Sequence, residues 1–131
     1  MLPHERWLKK AAGDLKVAKK VVDDEETRDG AVYHVHECAE KALKAYLAYK
    51  KQPIKRTHDL EFLVKLCDEL DEEFMDKIFE HARILDPYGS EFRYPSDDDL
   101  LVPDIHDAQR AIQFAEEILK FVIKKIEQTS K

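Results

Sequence analysis

Apolar residues recur along most of the chain at alternating steps of three and four positions, which places their side chains on one face of an α-helix. The first such stretch follows a proline that suits a first helical turn, and it carries Leu8, Ala11, Leu15, Ala18 and Val22. A second stretch runs from about residue 31 to 51, with Pro53 ending it. A third begins after Thr57, which we expect to act as its N-cap.

Two further stretches extend this pattern. Residues 71–85 predict either a separate helix or a bent continuation of the third, with Asp71 available as a cap, and a last helix follows Pro103 with Asp104 as its cap. The charged residues 23–30, which include Gly30, predict the first connection. The sequence therefore predicts an all-α fold, an up-and-down bundle of four to five antiparallel helices in a single domain over residues 1–131.

The composition agrees with a helical protein. The chain has 131 residues, of which 44% are hydrophobic and 38% charged, with only three glycines and five prolines. No apolar run approaches the length of roughly 20 residues that a membrane span needs. Two cysteines, Cys38 and Cys67, are typical of a reducing cytoplasm rather than of a disulfide framework. The excess of Lys and Glu and the absence of Asn favour a thermophilic source.

The net charge of -6 argues against a general nucleic-acid binder, but the charge is unevenly distributed. Residues 41–56 contain six basic side chains and no acidic one, whereas residues 59–80 contain nine acidic side chains and two lysines. The basic segment also carries Tyr46 and Tyr49, so it could bind a phosphate and stack a base. Alternatively, its lysines are a solvated helix end that complements the helix dipole.

Several further residues could support chemistry. His34 and Cys38 have a metal-compatible spacing, but no second such pair completes a zinc site, so we predict no metal. Arg93 and Tyr94 precede Pro95, which restricts the backbone of Tyr94, and the pair could bind a phosphate or a nucleobase or simply anchor the loop. His58 could bridge the basic segment to this loop or act as a cap.

These features occur together in an order that resembles a known family. Residues 34–45 read HVHECAEKALKA, residues 57–60 read THDL, residues 93–95 read RYP, and the last helix contains Asp107-Ala108 with Ala111 and Ala115. This combination resembles the HEPN family, named for a proposed nucleotide-binding role in higher eukaryotes and prokaryotes. The resemblance extends over about residues 4–126.

The resemblance implies a helical bundle that usually dimerises and often works beside a minimal nucleotidyltransferase, in some cases as a toxin–antitoxin pair. It implies nucleotide binding, with no cofactor or metal, and it assigns a ligand site to six residues: Glu40, Lys41, Lys44, His58, Arg93 and Tyr94. Many members are metal-independent ribonucleases with four to six residues between a catalytic Arg and His near the last helix. Here Arg93 and His106 bracket that region but are separated by twelve residues.

Three functional hypotheses follow. The first is a cytoplasmic module that binds a nucleotide or a short RNA and acts with a minimal nucleotidyltransferase. The second is a ribonuclease toxin in which Arg93 and His106 meet at the active site. The third is a non-catalytic dimerising scaffold, in which the polar motifs cap and orient helices. Under any of these hypotheses, Phe114, Phe121 and Ile123 could either serve a dimer interface or complete the monomer core.

Overall fold

The computed structural model describes residues 1–89 and 103–129. Within these residues the chain forms five α-helices and one short 3-10 turn, and no strand: α1 Pro3–Val21, α2 Arg28–Tyr49, α3 Leu60–Asp68, α4 Glu73–Leu85, the turn Asp86–Gly89 and α5 Ile105–Thr129. The predicted all-helical bundle is confirmed. The stretch after residue 71 is a separate helix rather than a continuation of α3. Arg93 and Tyr94 lie outside the described residues.

The second helix occupies the centre of the fold. It contacts α1, α3, α4, α5 and the 3-10 turn, and more than half of its 22 residues are buried. Several of these are alanines, which let the neighbouring helices approach closely. Its position explains why α2 also carries three of the four polar or charged residues that are buried in the described part of the chain: His36, Glu40, Lys44 and, on α5, Lys125.

The first connection is shorter than the sequence predicts. Helix α2 begins at Arg28, so Gly30 lies within its first turn rather than in the connection. The reason is that the chain folds back on the end of α1. The Thr27 hydroxyl donates a hydrogen bond to the Val21 carbonyl oxygen (2.7 Å), and Arg28 Nε donates one to the Val22 carbonyl oxygen (3.0 Å). These bonds satisfy carbonyl groups at the helix end and allow α2 to start at once.

The start of α3 also differs from the prediction. Asp59, not Thr57, is the N-cap, because its carboxylate accepts a hydrogen bond from the Phe62 amide (3.0 Å). A second carboxylate, that of Asp86, accepts hydrogen bonds from the amides of Leu60 (2.9 Å) and Glu61 (3.2 Å). The 3-10 turn therefore caps a helix that begins 26 residues earlier in the chain.

Helix α5 closes the bundle as expected. Asp104 accepts a hydrogen bond from the Asp107 amide (2.8 Å), which confirms it as the predicted cap. The three residues considered for a dimer interface, Phe114, Phe121 and Ile123, are partly buried and pack against the core. Within the described residues, no helix combines the length and the apolar character needed to span a membrane.

Candidate functional site

Four of the six predicted ligand residues lie together on one face of the bundle. Glu40, Lys41 and Lys44 come from α2, and His58 comes from the segment that leads into α3. The Glu40 carboxylate joins Lys44 to His58, since one oxygen accepts a hydrogen bond from Lys44 Nζ (2.9 Å) and the other lies 2.8 Å from His58 Nδ1. The structure thus brings together side chains from two elements that the sequence separates.

The Glu40–Lys44 pair is buried, although its four-residue spacing alone predicts an ordinary surface ion pair. The two side chains are only 5% and 7% exposed, whereas His58 is 74% exposed. A buried ion pair contributes little net stability, because desolvation offsets much of the attraction. The contact with Glu40 orients the exposed imidazole ring of His58 at the surface of the bundle.

Lys41 lies between these two residues on α2 and contacts two other acidic side chains. Its ammonium contacts the carboxylates of Asp14 (2.7 Å) and Glu37 (3.5 Å), and Asp14 also lies 2.8 Å from His34 Nδ1. Partial burial acts to lower the pKa of Lys41, but the hydrogen bond and the charge of Asp14 outweigh it and raise the pKa. Lys41 is therefore a fixed cation, and His34 contacts Asp14.

A basic and aromatic groove adjoins this network. It has a volume of about 440 Å³ and is lined by five residues, four of them from α1: Pro3, Arg6, Trp7, Lys10 and Lys41. Lys44 Nζ lies 5.8 Å from the centroid of the Trp7 ring, so the Glu40–Lys44 pair is adjacent to the aromatic part of the groove. No carboxylate is among the lining residues.

Sequence reasoning missed the contribution of α1 to this face. Arg6 and Lys10 are one turn apart, and Trp7 flanks the apolar stripe of the helix, but nothing in this spacing indicates which helix they meet. The sequence instead predicts that Tyr46 or Tyr49 could stack a base. Tyr46 is 1% exposed and packs against Phe74 at a ring distance of 4.5 Å, so it belongs to the core.

The remaining predicted residues do not join this cluster within the described chain. His106 is exposed in the first turn of α5. Its expected partner Arg93, like Tyr94, lies outside the described residues. Cys38 is fully buried, and desolvation, followed by the charges of Asp14 and Glu116, raises the pKa of its thiol to about 12. It is therefore a core residue with little thiolate character at neutral pH.

Two groups of side chains among the described residues have the composition of a metal site: Asp59, Glu61 and Asp86, and a more buried group that includes Glu40. Ligand atoms of His36, Glu37 and Glu40 lie within 4.8 Å of one another. Both Glu40 oxygens already have partners, and an oxygen of Glu37 lies 3.5 Å from Lys41 Nζ. An ion bound to Glu40 would compete with Lys44 or His58 for a carboxylate oxygen, so the arrangement as it stands favours charge pairing over coordination.

His36 nonetheless has an unusual environment. It is 1% exposed, and neither ring nitrogen has a hydrogen-bond partner among the described residues, although Nε2 lies 3.5 Å from Asp86 Oδ1. Gly89 packs directly against the imidazole, so closely that a Cβ atom at Gly89 would lie 2.5 Å from Nε2. This contact packs the end of the 3-10 turn against α2.

Comparisons with known proteins agree with this architecture. The crystal structure of TT1696 from Thermus thermophilus is similar, with a TM-score of 0.81, 25% sequence identity, and coverage of 95% of this chain and 99% of that chain. The crystal structure of ST0689, described as an archaeal HEPN homologue, gives a TM-score of 0.72, 28% identity, and coverage of 96% and 99%. No curated protein matches. The model of the HEPN domain matches residues 4–126, so the chain belongs to the HEPN family.

Proposed function

We propose that this HEPN protein binds a nucleotide or a short RNA end on the face formed by α1 and α2. The observation that supports the proposal is the convergence of Glu40, Lys41, Lys44 and His58 beside the groove that Trp7 lines. These residue types match the chemistry of a nucleotide. Ammonium and imidazole groups donate hydrogen bonds to phosphate oxygens, and a carboxylate accepts them from ribose hydroxyls or base amino groups.

The electrostatic balance of the face favours a small anion over a long nucleic acid. Lys41 and Lys44 are held in place by carboxylates, so their side chains lose little conformational freedom when a ligand binds. The whole chain carries a net charge of -6, which opposes the salt-dependent coating of an extended RNA. A ligand confined to one groove avoids most of that repulsion.

We further propose that the protein acts in the cytoplasm, as a homodimer, together with a minimal nucleotidyltransferase. Support for this partner comes from membership of the HEPN family. Size-exclusion chromatography with light scattering of the chain, alone and mixed with such a nucleotidyltransferase from the same organism, tests both associations. A monomer that does not co-elute with the enzyme would refute this part of the proposal.

Thermal unfolding tests nucleotide binding directly. ATP, GTP, AMP and a short RNA are each added at millimolar concentration, and we expect at least one of them to raise Tm. A ligand at 100 times its Kd stabilises the folded state by about 2.7 kcal/mol, which shifts Tm by several degrees. His58→Gln should reduce the shift, whereas Lys120→Gln on the exposed face of α5 should not. The absence of a shift with every ligand would contradict the proposal.

A further inference from the structure

We infer that Trp7, Arg6 and Lys10 on α1 form the base-stacking and phosphate-binding part of the site, and that its ligand is a nucleoside polyphosphate. This inference rests on the proposed nucleotide binding, but it is more specific, because it assigns residues of α1 and a ligand class. It depends on three observations: the charge of the groove, the position of the indole, and the size of the opening.

The charge of the groove matches a polyphosphate. Arg6, Lys10 and Lys41 line it, and Lys41 already contacts two carboxylates. Arg6 and Lys10 are exposed and form no ion pair with any described residue. Their positive charge is therefore available to an external anion. Because they are four positions apart on α1, they lie on the same face one turn from each other and can contact successive phosphates.

The position of Trp7 matches a base. Its side chain is half-buried, and it lines the same groove as the two exposed cations. Lys44 Nζ lies 5.8 Å from the ring centroid and is itself held by Glu40. The indole is thus supported from within the bundle, which provides a rigid aromatic surface of the kind on which bases stack. Tyr46 of the basic segment cannot replace it, since Tyr46 belongs to the core.

The size of the groove favours a single nucleotide. A volume of about 440 Å³ lies within the range of small-molecule sites. Binding of a longer strand would have to depend on more cations than these. We therefore expect the affinity to rise with the number of phosphates, in the order AMP, ADP, ATP, and we expect a short RNA to bind less tightly than ATP.

The protein contains one tryptophan, so the fluorescence of Trp7 reports directly on this groove. ATP, ADP, AMP and a short RNA are titrated while fluorescence and Tm are measured in parallel. The site variant is Arg6→Gln with Lys10→Gln. The matched control is Lys16→Gln with Lys20→Gln, which removes two exposed charges at the same spacing on the same helix, farther from the groove. All four positions are exposed, so both variants should fold.

We expect ATP to quench Trp7, and we expect the site variant to lose at least tenfold in affinity while the control variant stays within about twofold of the wild type. Trp7→Ala should weaken binding by about tenfold, as judged from the dependence of Tm on ATP concentration.

If ATP raises Tm equally in the wild type, the site variant and Trp7→Ala, this inference is wrong but nucleotide binding stands. Equal affinities for AMP and ATP, or tighter binding of the RNA, would refute the polyphosphate. No response to any ligand would refute both proposals.

Discussion

Replacement of Gly89 by alanine tests the contact that fixes the 3-10 turn on α2. A Cβ atom at this position would lie 2.5, 2.6 and 2.8 Å from Nε2, Cε1 and Cδ2 of His36. Ordinary contacts between such atoms are about 3.5 Å or longer, so the methyl group overlaps the ring by most of an ångström. The imidazole is 1% exposed and cannot move aside into solvent.

Overpacking of this kind in a close-packed interior costs about 1–3 kcal/mol. For a chain of this length we expect Gly89→Ala to lower Tm by roughly 4–12 °C. Two matched controls exist, because a Cβ at Gly13 or Gly30 meets no heavy atom within 4 Å. Both residues lie in helices, so alanine there should stabilise the protein by about 0.5–1 kcal/mol.

Urea denaturation of the single variants Gly89→Ala and His36→Ala and of the double variant separates the clash from other effects. His36→Ala removes the ring that the new methyl group meets, so Gly89→Ala should cost almost nothing in that background. The coupling free energy between the two positions should then be about 1–3 kcal/mol. If Gly89→Ala is as stable as the wild type, or if its cost is unchanged without His36, the packing argument is wrong.

Three further predictions concern buried charges and thiols. Lys44→Met should lower the free energy of unfolding by about 3–5 kcal/mol in urea denaturation, because it leaves Glu40 buried without its cation. The double variant Lys44→Met with Glu40→Gln should recover most of this loss. A loss under about 1 kcal/mol in Lys44→Met would show that the pair is not buried in solution. Partial burial acts to raise the pKa of Asp71, but the hydrogen bond from Lys125 (2.9 Å) outweighs it and the pKa is lowered. The resulting stability is therefore present above the unfolded pKa and lost as pH falls through the folded value, so Lys125→Gln should flatten the stability profile below the unfolded pKa of about 3.9. Burial raises the pKa of both cysteines, and a thiol reagent should modify them only as the protein unfolds; rapid modification of the native state would contradict this.

Much of the fold can be predicted from the sequence, because helix formation depends on a local pattern. The spacing of apolar residues identifies the helices near their actual positions, and Asp104 caps α5 as predicted. The errors lie at the starts of α2 and α3. The sequence pattern favours Thr57 as the cap of α3, but the cap is Asp59, which accepts a hydrogen bond from the Phe62 amide. Only the folded chain brings the carboxylate of Asp86, 26 residues from Leu60 in sequence, to the first amides of this helix.

The candidate site likewise combines local contacts, which the sequence predicts, with contacts between separate elements, which it does not. The four-residue spacing of Glu40 and Lys44 is sufficient to predict that their side chains meet. It cannot predict that the packing of other helices on α2 buries this pair, or that His58 joins it. Nor can it predict that α1 brings Trp7 next to Lys44. Local periodicity therefore predicts the helices, their apolar faces and the ion pairs within one helix. The burial of side chains and the contacts between separate helices depend on tertiary packing, because those contacts join residues that are far apart in the sequence.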